Sequence, residues 1–294
     1  MARAPRIPDE LRGRVFRGSV ALRRGWLTPD ELRGPTWRAL FHDVYVEASL
    51  PVTHALRAHA AAAVLRPGGV VTGRSAAVLW GVDLAAATDD VEITLPPGAH
   101  PVRLPGLRVR RALLDDGDVC LRRGVRVTVP EATAVALARS LPLDDAVIAV
   151  DQLTSGGLAS LPLVRELAGR ATGAGSRRAR QACALADGLA ESPQETRLRL
   201  VIGRGGLPAP VAQLRVVHEG RFVARVDFGW PAQRVAVEYD GLWHAEPGQF
   251  ARDRARLNRL QAAGWRVVFV TAADLKDPSR LIATIAAALT GVVR

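Results

Sequence analysis

Between Arg221 and Asp240 apolar and polar residues alternate with a period of two, the period of a strand, because successive side chains leave opposite faces. Phe222, Ala224, Val226 and Phe228 share one face, and Val223, Arg225 and Asp227 share the other. Trp230-Pro231-Ala232-Gln233 reads as a turn. Beyond it Val235, Val237 and Tyr239 alternate with Ala236, Glu238 and Asp240. Paired as a hairpin, the two strands bring their apolar faces together and place Asp227 opposite, or diagonal to, Glu238, with Asp240 one step further along. A slip of one residue would turn carboxylates into the core, so the pattern specifies the register.

The remaining pattern is mixed. Residues 11–24 read as a basic amphipathic helix, and Thr28-Pro29-Asp30-Glu31 as a capping box opening a short one. A further short helix is expected around Trp37–Leu40, then a strand at Val44-Tyr45-Val46. An alanine-rich helix spans His54–Val64, with His54 and His59 read as packing or surface residues. Strands are expected at Val91–Leu95, Leu107–Arg111 and Val125–Val129. A second capping box, Thr128-Val129-Pro130-Glu131, opens a helix to about Arg139, and another helical segment covers Asp144–Leu153. Glycine-rich, basic and non-periodic, Gly169–Arg178 marks a boundary. Ser192-Pro193-Gln194-Glu195 opens the next helix. After the acidic hairpin a helix runs to Ala263, with Gly264 as its left-handed cap. Arg266–Val270 is a strand and Pro278–Leu289 the closing helix.

Composition narrows the class. The chain of 294 residues is long enough for two domains. Its net charge of +11 is carried almost wholly by arginine, Lys276 being the only lysine, and suits a polyanionic partner. Cys120 and Cys183 have no motif spacing, as expected in a reducing compartment. The first residues lack an apolar signal core, and Leu281–Val293 is too short to span a bilayer. A soluble, cytoplasmic protein with no membrane segment is therefore expected.

Asp227, Glu238 and Asp240 on one face would repel each other by roughly 2–3 kcal/mol per pair at an effective dielectric near 20. A hard divalent cation favours such an oxygen cluster, so Mg²⁺ or Mn²⁺ is the expected cofactor. Arg252, Arg256 and Arg259, at i, i+4 and i+7, form a basic stripe that would be solvated or would hold a phosphate backbone.

Asp227, ten residues, Glu238-Tyr239-Asp240-Gly241 and His244 resemble the Vsr-like (very-short-patch-repair) branch of the PD-(D/E)XK endonucleases, and more closely a bacterial family of unknown function grouped with it. The resemblance continues through Phe250, Asp253-Arg254, Leu260, Gly264-Trp265 and Arg266–Val270, about the last hundred residues. One departure is Asp240, which stands where the superfamily has its lysine. The resemblance implies that Asp227, Glu238 and the Tyr239 carbonyl hold Mg²⁺, with Asp240 as a second contact or water-orienting group. It implies His244 as general base or acid, and Glu195 on the first helix approaching the metal; the capping-box reading of Glu195 competes with that role.

Residues 1–50, with Tyr45-Val46, the helix from His54 and Thr72–Gly81, resemble the N-terminal winged-helix domain of AbiEi-type antitoxins. That resemblance implies DNA binding through Thr36, Trp37 and Arg38 on a recognition helix, and an operon partner such as a toxin. The expected architecture is α/β: a winged-helix-like module at 1–50, an α/β middle region at 51–168, a basic linker and lead-in helix at 169–186, and a restriction-endonuclease-like αβββαβ domain at 187–294. The expected function is metal-dependent hydrolysis of DNA, with RNA as the competing substrate. The alternative is a non-catalytic, antitoxin-like DNA-binding regulator with a degenerate nuclease fold.

Overall fold

The computed structural model describes residues 7–100, 103–241 and 249–291 and is mixed α/β, as expected. The chain divides into two units: Met1–Ser140 with Leu158–Arg180, and Leu141–Gly157 with Gln181–Arg294.

In the first unit strand β1 (Phe16–Arg17) is followed by helices α1 (Gly18–Arg23) and α2 (Pro29–Arg33) and strands β2 (Trp37–Phe41) and β3 (Val44–Glu47). The sheet order is β1–β3–β2. The expected helix over 11–24 keeps only its second half, because Phe16 and Arg17 pair with Tyr45 and Val44. The helix expected around Trp37–Leu40 is strand β2. Trp37 pairs with Glu47 and is buried edge-on to Phe16, ring centroids 5.0 Å apart. Cross-strand packing of this kind overrides local propensity. Thr36, Trp37 and Arg38 are thus on no recognition helix: Trp37 fills the core, and Arg38 is exposed on β2. The first capping box does form, with Thr28 Oγ1 accepting the Glu31 amide at 3.2 Å and Glu31 Oε2 accepting the Thr28 amide at 2.7 Å.

Next come α3 (His54–Ala60), a π-helical turn (Ala61–Leu65), β4 (Val70–Val71), α4 (Gly73–Trp80), β5 (Val91–Leu95), β6 (Leu107–Arg111), β7 (Val119–Arg122) and β8 (Val125–Thr128). The second sheet has the order β6–β5–β4–β8–β7. Phe41 and Val44 share one buried cluster with Ala58, Val71, Ile93 and Val127, so residues 1–50 are not a separate module. Arg17 strengthens that join by donating to the Val64 and Leu65 carbonyls at 3.2 and 3.0 Å. His54 is buried between the Ala86 carbonyl and the Ser75 hydroxyl, a packing role, and burial holds its pKa below the usual histidine value.

Helices α5 (Pro130–Ser140), α6 (Leu143–Ser155), α7 (Leu161–Arg170) and α8 (Ser176–Leu185) follow. The second capping box gives way to longer-range bonds: Glu131 accepts the Ser160 amide at 3.0 Å, and the Thr128 and Thr133 hydroxyls meet at 2.7 Å. The expected linker is mostly helical. Only 171–175 separate α7 from α8, and Arg139 holds this stretch by donating to the Thr172 and Ala174 carbonyls at 2.8 and 2.9 Å. Helix α6, expected in the middle region, belongs to the second unit. Its Asp151 is fully buried and accepts from Thr196 Oγ1 (2.9 Å), Arg199 Nη2 (2.6 Å) and the amides of Asp187 (2.9 Å) and Gly188 (3.0 Å).

The second unit continues with α9 (Pro193–Arg204), β9 (Val211–His218), β10 (Arg221–Trp230), β11 (Val235–Tyr239), α10 (Gln249–Ala262), β12 (Arg266–Val270) and α11 (Pro278–Thr290). From α9 to β12 this is the element order αβββαβ. The sheet runs β12–β11–β10–β9, antiparallel except for the parallel pair β11–β12. Phe228, Trp230, Val235 and Val237 pack with Leu198 and Ile202 of α9 and Leu281 and Ile285 of α11. Ala224, Val226 and Ala236 pack with Leu260 and with Ala263 just beyond α10. Gly264, at φ 76°, ends α10 as expected, and the Trp265 amide returns to the Leu260 carbonyl at 2.9 Å. Among the described residues no helix is long and apolar enough to cross a membrane.

Removing a buried partner strands the charge it neutralised. Asp151→Ala, which leaves Arg199 without its buried carboxylate, is expected to destabilise the chain by about 3 kcal/mol or more. Urea unfolding should show this loss, with Asp151→Asn intermediate.

Candidate active site

Three elements bring carboxylates to one place. In the hairpin the register pairs Phe228 with Val237 and Gly229 with Ala236, so one step further Asp227 faces Glu238. The Tyr239 amide donates to Asp227 Oδ2 at 2.8 Å and fixes that side chain. Glu195 comes from the first turn of α9. Its amide donates to Ser192 Oγ at 3.2 Å, half of a capping box. Its carboxylate does not close the box. Oε2 instead accepts the Glu191 amide at 2.8 Å and the side-chain amide of Gln213 on β9 at 3.0 Å.

Charge is balanced unequally among these acids. Glu238 is 6% exposed, and both its oxygens are bound by Arg256 of α10, at 2.6 and 2.7 Å. Asp227 is pushed up to about 6. Burial is the largest cause; the Tyr239 amide opposes it, the charges of Glu195 and Glu238 add to it, and Arg256 lowers it. One carboxylate is thus neutralised, while its neighbour carries an excess of negative surroundings.

The other expected site residues separate. Asp240 is exposed, and its amide donates to the Val270 carbonyl at 2.7 Å, extending the β11–β12 ladder. The side chain of Tyr239 packs against the α9–α11 core. The stripe on α10 is split: Arg252 and Arg259 are exposed, whereas Arg256 is half-buried on Glu238. His244 lies outside the described residues. Sequence reasoning missed Gln213, which sits among alternating strand residues with nothing local to distinguish it, and missed Arg256 as the partner of Glu238.

Among the described residues no group of three or more His, Cys, Asp or Glu is placed to hold a metal ion together. Mg²⁺, however, commonly takes one or two protein carboxylates and completes its shell with water and phosphate oxygens. Glu195 and Asp227 could supply two such carboxylates: Asp227 is raised chiefly by burial, and the charge of Glu195 close by adds to it. Glu238 would have to release Arg256 before joining.

Comparison with known proteins places the chain by descent. It is 36% identical over 218 residues to the uncharacterized protein Rv2248 of Mycobacterium tuberculosis, covering 72% of this chain and 78% of that one. The uncharacterized protein MT2308, from another strain of that species, matches to the same extent. The chain belongs to the family of these mycobacterial proteins. No family model matches it, and no solved structure matches it.

The raised Asp227 makes stability pH-dependent. A folded-state value of about 6, above an unfolded value near 3.9, means that the folded protein binds more protons between the two. Without added metal, stability should fall as pH rises from 4 through 6. Asp227→Asn lacks this loss. Its advantage should open across that interval, be absent below pH 4, and reach on the order of 2 kcal/mol at pH 7 after allowing for solvent screening. Denaturant titrations at several pH values check this.

Proposed function

We propose that this chain is a divalent-metal-dependent nuclease that hydrolyses phosphodiester bonds in DNA. The observation carrying this reading is the convergence of Glu195, Asp227 and Glu238 from α9, β10 and β11, with Asp227 raised to about 6 by burial and by the other two acids. The αβββαβ order and the Vsr-like resemblance support it. Glu195 and Asp227 would hold Mg²⁺ or Mn²⁺, which when bound polarises a phosphate and lowers the pKa of an attacking water. Asp227 is held in place by the Tyr239 amide. Arg256, released from Glu238, would offer its guanidinium to the phosphate, whose geometry it matches with two parallel donors. His244 keeps the role of general base or acid that the resemblance implies.

A second reading has an observation of its own. Arg256 already neutralises Glu238 with two hydrogen bonds, as an internal cation would in a nuclease fold that has lost its chemistry. The chain would then be an antitoxin-like DNA-binding regulator with an operon partner. In either reading the N-terminal elements would bind DNA. Their order, two helices and then a hairpin that returns to β1, is similar to a winged helix. Because α2 carries Asp30 and Glu31, contact there would fall to exposed Arg23, Arg33 and Arg38 on phosphates rather than to base readout.

The full-length chain should nick or cleave plasmid DNA only with Mg²⁺ or Mn²⁺, and more readily than single-stranded DNA or RNA. His244→Ala should lower the rate by about 10²–10⁴-fold, the range for a lost acid–base group. Asp227→Asn, which removes a proposed metal ligand, should lower both the rate and the affinity for Mn²⁺. No metal-dependent cleavage of any of these polymers, with operator binding untouched by Asp227→Asn, would establish the regulator instead.

Replacing Arg33 and Arg38 together by Ala should weaken duplex DNA binding by a similar factor for unrelated sequences and flatten its salt dependence. Fluorescence anisotropy at several salt concentrations measures both. Unchanged affinity and slope would remove these elements from the DNA contact.

A further inference from the structure

Strand β9 is regular on either side of Gln213, where Leu214 pairs with Val226 and Ala212 with Phe228. Gln213 lies between these pairs, across from Asp227, and its backbone is left-handed at φ 48°. Residues other than glycine, asparagine and aspartate seldom adopt that region, and inside a strand it interrupts the ladder. Across it the covered face changes, Ala212 and Phe228 packing toward α9 and α11 and Leu214 and Val226 toward α10. At Gln213 itself the interruption has a further effect. What it provides is direction: the Gln213 side-chain amide donates to Glu195 Oε2 at 3.0 Å. The same oxygen accepts the Glu191 amide, so Glu195 is gripped from the helix side and from the sheet side.

We propose that Gln213 is a positioning residue, whose left-handed backbone aims its amide at Glu195 and fixes that carboxylate beside Asp227 for cation binding. This rests on the nuclease reading. Carboxylate ligands are themselves oriented by hydrogen bonds from a surrounding layer of residues, and losing such a partner commonly costs 10–100-fold in metal affinity. Locally unfavourable backbone held at a site by its surroundings is a further mark of such a role. A residue that only turned the strands from one covered face to the other would not need the bond to Glu195.

Two variants separate these roles in the full-length chain. Gln213→Asn tolerates the left-handed backbone but is one methylene too short to reach Glu195. Gln213→Gly adopts the conformation without strain and lacks the amide. Both should melt with the parent in EDTA or above it. Mn²⁺ titrated calorimetrically should bind the parent about 10–100-fold more tightly than either variant, and kcat should fall with KM for DNA unchanged. Equal Mn²⁺ affinity in parent and variants would overturn the proposal and leave the nuclease reading intact. Absence of Mn²⁺ binding by the parent would instead remove the nuclease reading. A crystal structure of Gln213→Gly in which the Glu195 carboxylate keeps its place overturns the proposal whether or not metal binds. So does failure of both variants to fold, which would make Gln213 a requirement of the sheet.

Discussion

Glu238 lies almost fully buried on the central strand β11 of the C-terminal sheet, and an ionised carboxylate there would cost several kcal/mol without a counter-charge. Arg256 supplies it through two near-parallel bonds, the strongest geometry open to an arginine and a carboxylate. The pair also sets the rotation of α10. With Arg256 turned toward the sheet, Leu260 one turn later falls on the same helix face and packs with Ala236 and Val226. The ion pair and the apolar cluster beside it hold the helix in one orientation, and neither alone would fix both its rotation and its place along the strand.

Asp227 is treated differently by the same fold. Among the described residues it receives one backbone amide and no cation of its own, while two acids stand near it. Several other polar groups are better supplied. Asp151 accepts four hydrogen bonds, His54 has a partner on each ring nitrogen, and Asp43 accepts the Ser19 amide and hydroxyl at 2.7 Å each. Three features meet at Asp227: an undercompensated acid, a strand residue in left-handed backbone, and a capping glutamate drawn from its cap.

Much of the second unit was legible in the chain. The two-residue alternation gave the two strands and a register in which Asp227, one step beyond the last pair, faces Glu238. It did not give the burial of the acid-bearing face, where Glu238 is 6% exposed. Nor did it give the packing of Val226 with Ala236 while Phe228 packs with Val237 on the other side. The Thr28–Glu31 capping box and the Gly264 helix end were equally readable, since each closes bonds within a few residues. The αβββαβ order is what the endonuclease resemblance implies; the pattern alone does not mark its first strand, Val211–His218.

What the sequence left open depends on partners distant along the chain. Phe16-Arg17 and Trp37–Phe41 carry weak local signals and become strands only because each pairs with β3. Helix α6 looks like its neighbours until Asp151 meets Thr196 and Arg199. Arg256 reads as one of three surface arginines until packing carries it to Glu238, and Glu195 reads as a cap until Gln213 draws it to the sheet. Local periodicity specifies which face a residue takes within its own element. Only the packing of elements, through burial and the demand that buried charge be met, decides which residue it faces across the fold.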